Sequence, residues 1–373
     1  MAPTTEIDRN RPSPVYHQIS SRLRERIVNG ELPAGTRLPN GQELSRQYGV
    51  AYRTIIKSLE ILKKEGLLVG VPSRGTFVRA QQARTVRNIA VTVDQMYHQA
   101  VASHLEVFQR TVNSACVDSG FHLQLFSLPE ARVFGIENQT LLSTLLRDRH
   151  IDGLITYHGP PPEDIARLAR MNVPVVTSRD VYPNAGVPWV MEDVADGARK
   201  LVRFLVGGLG HRRIKLLMAR KADPTSQIIR PSALLAKALA EELRAQDIPF
   251  DDERDAVYSE FFWDKAAPTV RNWLSADKDR VTAIIACDDD LAQQAASLAQ
   301  ELGLGIPRNL SIASYTYGDV IPQSTLTAIH VPIREIAQKC VEIIEQIMGG
   351  QTPSSAEPQV QLAIRQTCGP ANV

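Results

Sequence analysis

The first eighty residues carry a hydrophobic pattern that predicts three helices followed by two short strands. In the first helix, hydrophobic residues recur every four positions, at Val15, Ile19, Leu23 and Ile27. This spacing is typical of one buried helix face. The Asn29-Gly30 pair that follows is a common helix end, so the helix should stop there.

A short helix, a tight turn and a longer helix are predicted next. Asn40, with Glu43 three residues later, resembles a capping box, so we expect a helix from there to Tyr48. Gly49 would make the turn, and a third helix would run from residue 51 to 65. Two helices this close, joined by a glycine turn, are typical of a helix-turn-helix.

Two short β runs, at residues 67–69 and 76–78, flank a loop that contains Gly70 and Gly75. They predict a hairpin directly after the third helix. A helix-turn-helix followed by a hairpin indicates a winged helix-turn-helix, a domain that places one helix in the major groove of DNA.

From residue 88 onward, short buried β runs alternate with amphipathic helices. The predicted strands are residues 89–93, 122–126, 151–157, 173–176, 213–218, 283–286 and 310–314. This alternation predicts doubly wound parallel sheets, and the number of elements favours two α/β lobes. We therefore expect a DNA-binding domain at residues 1–80, a linker at 81–87 and a two-lobed effector-binding and dimerisation domain at 88–373.

Composition changes this picture little. Hydrophobic residues make up 43% of the 373 residues and charged residues 22%, which is ordinary for a globular protein. No apolar run approaches the ~20 residues of a membrane span, and the polar start lacks a signal-peptide core, so we expect a cytoplasmic protein. The four cysteines are far apart, which favours buried thiols over disulfides or a metal site.

Charge is distributed unevenly between the two parts. Residues 1–80 contain 13 Lys and Arg against 7 Asp and Glu, a net charge of +6, and the remainder carries −5. A basic small domain suggests that this part meets a polyanion, and chance segregation is the alternative.

The first part resembles the DNA-binding domain of GntR-family transcription regulators. The resemblance rests on the turns, core positions and wing together, including Leu38-Pro39, Glu43-Leu44, Glu65-Gly66 and the run from Arg74 to Val78. With the exposed residues of the third helix, it implies a set of DNA-contacting residues. These are Arg37, Asn40, Gln42, Tyr52, Arg53, Thr54, Lys57, Arg74 and Gly75.

Five residues in three places depart from the family pattern. Asn40-Gly41-Gln42 stands where the family usually has Ser-Glu-Arg, Tyr52 stands at a usual arginine, and Ile56 stands at a later one. We expect Arg53 and Lys57 to take over the contacts, and an arginine could bind a guanine edge with two hydrogen bonds.

The remainder resembles the effector domain of LacI-family regulators and the periplasmic sugar-binding proteins. The motifs that carry this are residues 151–155, 173–176, 193–197, 210–214, 282–289 and 326–327. The fold class implied is α/β, with an N-terminal winged helix-turn-helix and a two-lobed, periplasmic-binding-protein-like (type I) doubly wound effector domain. Together the two parts look like the arabinose-repressor type of GntR regulator. That type implies a homodimer on a palindromic operator, controlled by a small molecule, often a sugar.

Ligands of such sheets lie beyond the carboxyl ends of the strands. The candidate ligand-binding residues are Asp94, Tyr97, His98, Tyr157, Arg179, Arg230, Trp263, Asp289 and Tyr317. Arg230 and Asp289 match family ligand positions. The acid-rich run from Asp288 to Asp290 favours a polyol or an amine, unless Arg179 and Arg230 both face the cleft.

An α/β enzyme and a solute-binding protein are the two alternatives to a regulator. An α/β enzyme would need a nucleotide-binding glycine motif, a phosphate loop, a nucleophile elbow or a His-Glu-x-x-His, and the sequence has none of them. We therefore expect no catalytic residues, metal or cofactor. A solute-binding protein would need a signal peptide and would not need the basic first domain.

Overall fold

The computed structural model describes residues 14–28, 31–64, 66–72, 74–79, 87–94, 102–129, 132–134, 140–219, 221, 226–260, 262–275, 281–316 and 324–371. The chain forms two compact units, Met1–Thr85 and Val86–Val373. The described part of the chain contains no helix that is both long and apolar enough to cross a membrane.

The first unit has the predicted winged helix-turn-helix. Its elements are α1 (Val15–Val28), α2 (Gly41–Tyr48), α3 (Tyr52–Lys64), β1 (Leu68–Val71) and β2 (Gly75–Val78). The two strands pair antiparallel, with Leu68 opposite Val78. Ile19 of α1, Leu44 of α2 and Ile55 of α3 are almost fully buried in one core, so each helix contributes its apolar face.

Local capping fixes both ends of α2. The Asn40 carboxamide accepts hydrogen bonds from the backbone amides of Gln42 and Glu43, both at 3.0 Å, and the Glu43 carboxylate accepts from Asn40 N at 2.8 Å. Gly49 ends α2 with φ of 63°, a left-handed conformation that glycine adopts without a Cβ penalty.

The first lobe of the second unit is a parallel sheet flanked by helices. Its elements are β3 (Arg87–Asp94), α4 (Ala102–Asp118), β4 (Phe121–Leu128), α5 (Leu141–Arg147), β5 (Gly153–Tyr157), α6 (Pro162–Arg170), β6 (Val175–Ser178) and β7 (Trp189–Val190). The strand order is β4-β3-β5-β6-β7 and every pairing is parallel.

The second lobe repeats this plan. Its elements are α7 (Val194–Arg203), β8 (Ile214–Met218), α8 (Pro231–Ala245), α9 (Asp252–Asp255), β9 (Ala256–Tyr258), α10 (Trp263–Ser275), β10 (Ala283–Ala286), α11 (Asp289–Glu301), β11 (Ser311–Thr316), β12 (Thr327–His330) and β13 (Gln361–Ala363). Helix α12 (Ile333–Met348) lies between β12 and β13 in the chain and belongs to the first lobe by its packing. The strand order is β13-β12-β11-β10-β8-β9. Helix α12 packs against α4 and β6 of the first lobe, so the chain passes between the lobes more than once.

Two of these passages run side by side. Met191 N donates to Ala356 O and Asp193 N donates to Pro358 O, both at 3.1 Å. Short paired connections of this kind can bend while the two lobes keep their own cores, as hinged domains do.

The structure departs from the sequence expectations at the shortest elements. β7, β9, β12 and β13 were not predicted, because two to four residues carry too little periodicity. β13 pairs antiparallel with β12, against the expectation of purely parallel sheets. Arg87, expected in the linker, is the first residue of β3, and residues 81–86 lie outside the described part.

Candidate functional site

Helix α3 presents a polar face beside its buried one. Ile55 and Leu59 point into the core, and Tyr52, Arg53 and Lys57 are exposed on the other side. Tyr52 and Arg53 occupy the first turn, which is where recognition helices reach base edges.

The two basic residues of this face differ in their surroundings. Within the described residues, the Arg53 side chain makes no hydrogen bond or ion pair. The Lys57 ammonium lies 3.8 Å from the centre of the Tyr16 ring of α1, a cation–π contact. Lys57 therefore ties α1 to α3 while its charge stays at the surface, and Arg53 is the better candidate for reading bases.

Asn40 and Thr54 have structural partners, and Asn40 is exposed whereas Thr54 is half-buried. The Asn40 oxygen caps α2, so its amide NH2 is the group left for a phosphate. The Thr54 carbonyl accepts a hydrogen bond from the buried Ser58 hydroxyl at 2.8 Å. Gln42 is exposed in the first turn of α2, and only its backbone amide takes part in the cap, so its side chain is available for DNA.

The wing adds two more arginines. Arg37 pairs with Phe77 as an isolated bridge next to β2. Its side chain lies against Gly75, where an added Cβ would come within 3.0 Å of Arg37 Nε. Gly75 has φ of 113°, so it is suited to this position by conformation as well as by space. Arg74 is exposed on the same wing.

In the second unit, the carboxyl ends of the first-lobe strands hold a buried polar cluster. It contains His158, Arg179, Asp180 and Glu192, each less than 9% exposed. Arg179 Nη2 donates to Glu192 Oε1 at 3.0 Å. His158 and Arg179 have φ of 54° and 68°, a left-handed backbone that non-glycine residues adopt mostly where the surroundings enforce it.

Asp180 connects this cluster to the second lobe. Its carboxylate accepts a hydrogen bond from Gly159 N at 2.9 Å and lies 3.7 Å from Nε of Arg230, which precedes α8. Next to this pair, Val181 and Ile229 exchange backbone hydrogen bonds of 3.0 and 2.9 Å as an antiparallel bridge. The two lobes therefore meet beside Arg179 and Arg230, two of the candidate ligand-binding residues.

The three adjacent acids of the second lobe have different roles. Asp288 caps α11 by accepting from Leu291 N at 2.8 Å, and burial raises its pKa to about 6. Asp289 accepts a hydrogen bond from the Ser314 hydroxyl at 2.6 Å. Asp290 is exposed, so the run does not present a cluster of three carboxylates to one point.

The predicted aromatic contacts divide into core and surface. Tyr157 is 1% exposed and its ring centre lies 4.5 Å from that of Phe108, so the ring is part of the core. Trp263 is half-buried and packs against the core cluster, and the residue before it in the chain, Phe262, is 55% exposed. Of the remaining candidates, Asp94 ends β3 and is half-buried, and Tyr97, His98 and Tyr317 lie outside the described residues.

The buried His158 of the cluster and its buried neighbour His104 add no charge at neutral pH. Burial lowers the pKa of His104 well below its usual value, and the neighbouring Arg179 and His158 lower it further. Burial also lowers the pKa of His158, against the opposing effect of Asp180. The charges of this region are therefore two arginines, each facing one acid.

Sequence reasoning missed Glu192 and Ser314. Glu192 follows Trp189, Val190 and Met191, and an acid directly after an apolar strand run is a signal of a buried pair. Ser314 carries no local signal, because its bond to Asp289 forms only when two parallel strands end together. The described residues contain no group of three or more His, Cys, Asp or Glu placed to hold a metal.

Comparison with known families confirms the expected pairing of domains. The sequence model described as "Bacterial regulatory proteins, gntR family" matches residues 15–78. The model described as "Periplasmic binding protein-like domain" matches residues 203–368. The boundaries of the first match coincide with α1 and β2 of the winged unit.

Similar proteins of known role or structure are transcription regulators. An arabinose metabolism transcriptional repressor of Geobacillus stearothermophilus is 23% identical over 351 residues, covering 90% of this chain and 91% of the relative. A LacI-family regulatory protein of Chloroflexus aggregans superposes with a TM-score of 0.65 at 22% identity, over 76% of this chain and 98% of that one. A ribose-bound LacI-family regulator of Enterococcus faecium gives 0.61 at 19% identity, over 77% and 100%. These structures confirm the fold of the second unit.

Proposed function

We propose that this chain, a GntR-type helix-turn-helix domain followed by a periplasmic-binding-protein-like domain, is a ligand-controlled transcriptional repressor. It would act in the cytoplasm as a homodimer on a palindromic operator. The observation that carries the DNA part is the exposed face of α3, because Arg53 has no partner among the described residues and lies in the helix turn that meets base edges. The relatives named above are regulators and not enzymes.

Within this proposal, the candidate DNA-binding residues make two kinds of contact with DNA. Arg53, Tyr52 and Gln42 would meet bases in the major groove, where an arginine pairs best with guanine. Lys57, Arg37 and Arg74 would contact phosphates or the adjacent minor groove, which positions the domain without reading sequence.

The effector we propose is a neutral polyhydroxylated molecule, a sugar or polyol. Arg179 already faces Glu192, and Arg230 faces Asp180, so neither arginine brings an uncompensated positive charge for an acidic ligand. Asp289 and Arg230 then provide a hydroxyl acceptor and donors on the second lobe. The repressor of Geobacillus stearothermophilus is named for arabinose metabolism, which makes pentoses the first ligands to test.

Control of DNA binding would follow from closure of the lobes on the effector. Half-sites of a palindromic operator lie about 34 Å apart, so a lobe movement that changes the spacing of two recognition helices would cost affinity. Such coupling is typically 1–3 kcal/mol and is reciprocal, so operator DNA should weaken effector binding by the same factor.

A homodimer is supported by the outer face of the first lobe. β4 is an edge strand of the sheet, and an unpaired edge is a site for association. Leu125 of β4 and Val117 of α4 are 47% and 66% exposed. Light scattering of the full chain tests this proposal directly, with a mass near twice 41.2 kDa expected.

The DNA proposal is tested by selecting duplexes from a random library with the full-length protein. Affinity for the selected duplex is then measured by fluorescence anisotropy between 50 and about 200 mM salt. A palindromic consensus and a steep negative slope of log K against log salt are expected, because phosphate contacts release counterions. No enriched sequence, or a flat slope, would contradict the proposal.

The effector is tested by adding arabinose, ribose, other neutral sugars and polyols to the protein–DNA complex. A matched panel of sugar acids serves as the control for charge. Release or tightening of the operator by a neutral compound supports the assignment, and a response confined to acids would overturn it.

A further inference from the structure

The first residue of α2 and the first residue of α3 touch each other in the DNA-binding unit. A Cβ atom added to Gly41 would lie 2.7 Å from Cε2 and 3.4 Å from Cδ2 of Tyr52. It would also lie 3.3 Å from Cδ1 of Ile56, one turn further along α3. The Tyr52 ring therefore occupies the space that any side chain at position 41 would need.

All three residues in this contact are positions at which the chain departs from the GntR pattern. Gly41 stands where a glutamate is usual, and Tyr52 and Ile56 stand where arginines are usual. The departures are far apart in sequence and meet in space, which indicates that they form one unit. The aromatic ring and the missing Cβ fit each other by size, because contacts below 3.0 Å are not tolerated between carbon atoms.

The Tyr52 ring is packed along one edge, and the rest of the side chain is exposed to solvent. Its side chain is 54% exposed although the Cδ2–Cε2 edge lies against Gly41. Among the described residues, no group forms a hydrogen bond with the Tyr52 hydroxyl. A ring fixed at its edge with an unused hydroxyl, at the start of the helix proposed to enter the major groove, is suited to contact base edges.

We propose that Gly41 is a specificity-determining residue that acts by positioning Tyr52 for base readout. This rests on the DNA-binding function proposed above. The absence of a Cβ lets the ring lie across the first turn of α2, and this fixes the direction of the hydroxyl before DNA arrives. Fixing a side chain in its bound orientation raises affinity because less conformational entropy is lost on binding.

The position can be changed without a folding penalty from the backbone. Gly41 does not have a positive φ, and it begins a helix, where alanine is favoured over glycine. A Gly41→Ala variant must therefore displace the Tyr52 ring, or shift α2 away from α3, while the core residues Leu44 and Ile55 remain in place.

The experiment compares four full-length proteins on the operator selected with the wild type. They are the wild type, Gly41→Ala, Tyr52→Ala and the double variant Gly41→Ala/Tyr52→Ala. Gly207→Ala serves as the matched control, because an added Cβ there meets nothing within 4 Å. Affinities are measured for the operator, for each single base-pair variant of it and for non-specific duplex, together with the melting temperature.

Gly41→Ala should lower operator affinity about tenfold, as expected for the loss of one good base contact. Non-specific affinity should stay within about twofold, and preference should relax at the same base pairs that Tyr52→Ala affects. In the Tyr52→Ala background, the second change should have no further effect on affinity. Tyr52→Phe should reproduce the loss at those base pairs if the hydroxyl is the reading group.

Three results would overturn the proposal. They are wild-type affinity in Gly41→Ala, an equal loss from Gly41→Ala with and without Tyr52, or a loss spread evenly over all base pairs. If the proposed DNA-binding function itself were wrong, the result would be different, because the wild-type protein would then select no operator.

Discussion

The Nε atom of Arg230 lies 3.7 Å from Oδ2 of Asp180, and this pair joins the two lobes of the second unit. Asp180 is fully buried and Arg230 is 30% exposed, so the arginine can approach a ligand while the acid stays fixed by Gly159 N. An ion pair beside the Val181–Ile229 bridge makes the meeting of the lobes depend on charge as well as on shape.

Arg230→Ala should therefore weaken effector binding at the place where the two lobes meet. We expect the effector concentration needed for half-maximal response to rise tenfold or more, since charged hydrogen bonds are worth about 1.5–3 kcal/mol. Operator affinity without effector should stay within about twofold. The measurement is anisotropy of labelled operator titrated with the neutral sugar that gives a response. Arg271→Ala, on the exposed face of α10, is the control, and an unchanged response in Arg230→Ala would remove this residue from the site.

Arg53→Ala should weaken operator binding by about 1–3 kcal/mol and relax preference at one base pair, as loss of a bidentate contact does. Lys57→Ala should instead weaken all duplexes alike and reduce the salt slope by about one, because its ammonium is placed for phosphate beside Tyr16. Competition between operator variants at two salt concentrations separates the two effects. Equal behaviour of both variants would show that Arg53 does not read sequence.

The winged unit could be predicted from sequence because its signals are local. Asn40, Glu43 and Gly49 each make their contact within a few residues, so the spacing alone indicates the cap and the turn. The parallel strands were predicted for the same reason, by buried runs long enough to show a pattern. The Gly41–Tyr52 contact has no such signal, because glycine leaves no trace in a hydrophobic pattern.

The effector site was predictable only to the level of strand ends. Arg179 and Arg230 were named as candidate ligand-binding residues, and the structure gives each of them an acid partner. Those partners could not be assigned from the sequence, because Asp180 and Arg230 belong to different lobes. Which of the acids are satisfied internally depends on tertiary contacts, and that decides the charge offered to a ligand.

Acidification should destabilise the second unit before ordinary carboxylates titrate. Burial lowers the pKa of His104, His158 and His211 below the usual 6.5, so the folded state holds them neutral while the unfolded chain takes up protons. The contribution of these neutral histidines to the free energy of unfolding is complete above pH 6.5 and decreases as the pH falls below it. Each histidine lowers the free energy of unfolding by up to about 1.4 kcal/mol for each pH unit. Asp288 has the opposite effect, because its pKa is raised to about 6 in the folded state. Below that pH the folded state holds one more proton at Asp288 than the unfolded chain does, and this stabilises the folded state.

Urea unfolding between pH 7.5 and 5 measures this dependence. Replacing His211 with Gln should reduce the slope of unfolding free energy against pH by about one proton, because its ring bonds only neutral groups, Thr282, Ser311 and Gly369 O. The exposed His122→Gln is the control. A slope of opposite sign in the wild type would contradict the assignment of neutral buried histidines.

The buried pair of Arg179 and Glu192 should contribute to stability mainly through the cost of breaking it. Glu192→Gln leaves a charged guanidinium without its carboxylate at a position 4% exposed, and such a loss costs about 3–5 kcal/mol. Replacing both residues, as Arg179→Met with Glu192→Leu, should be less destabilising than the sum of the single changes, because no buried charge is left. Unfolding free energies of the wild type, Arg179→Met, Glu192→Leu and the double variant give the coupling. If Arg179 also binds the effector, the double variant will fold and lose the response, whereas a purely structural pair will leave the response intact. Additive losses in stability would show that the two side chains do not act as a pair.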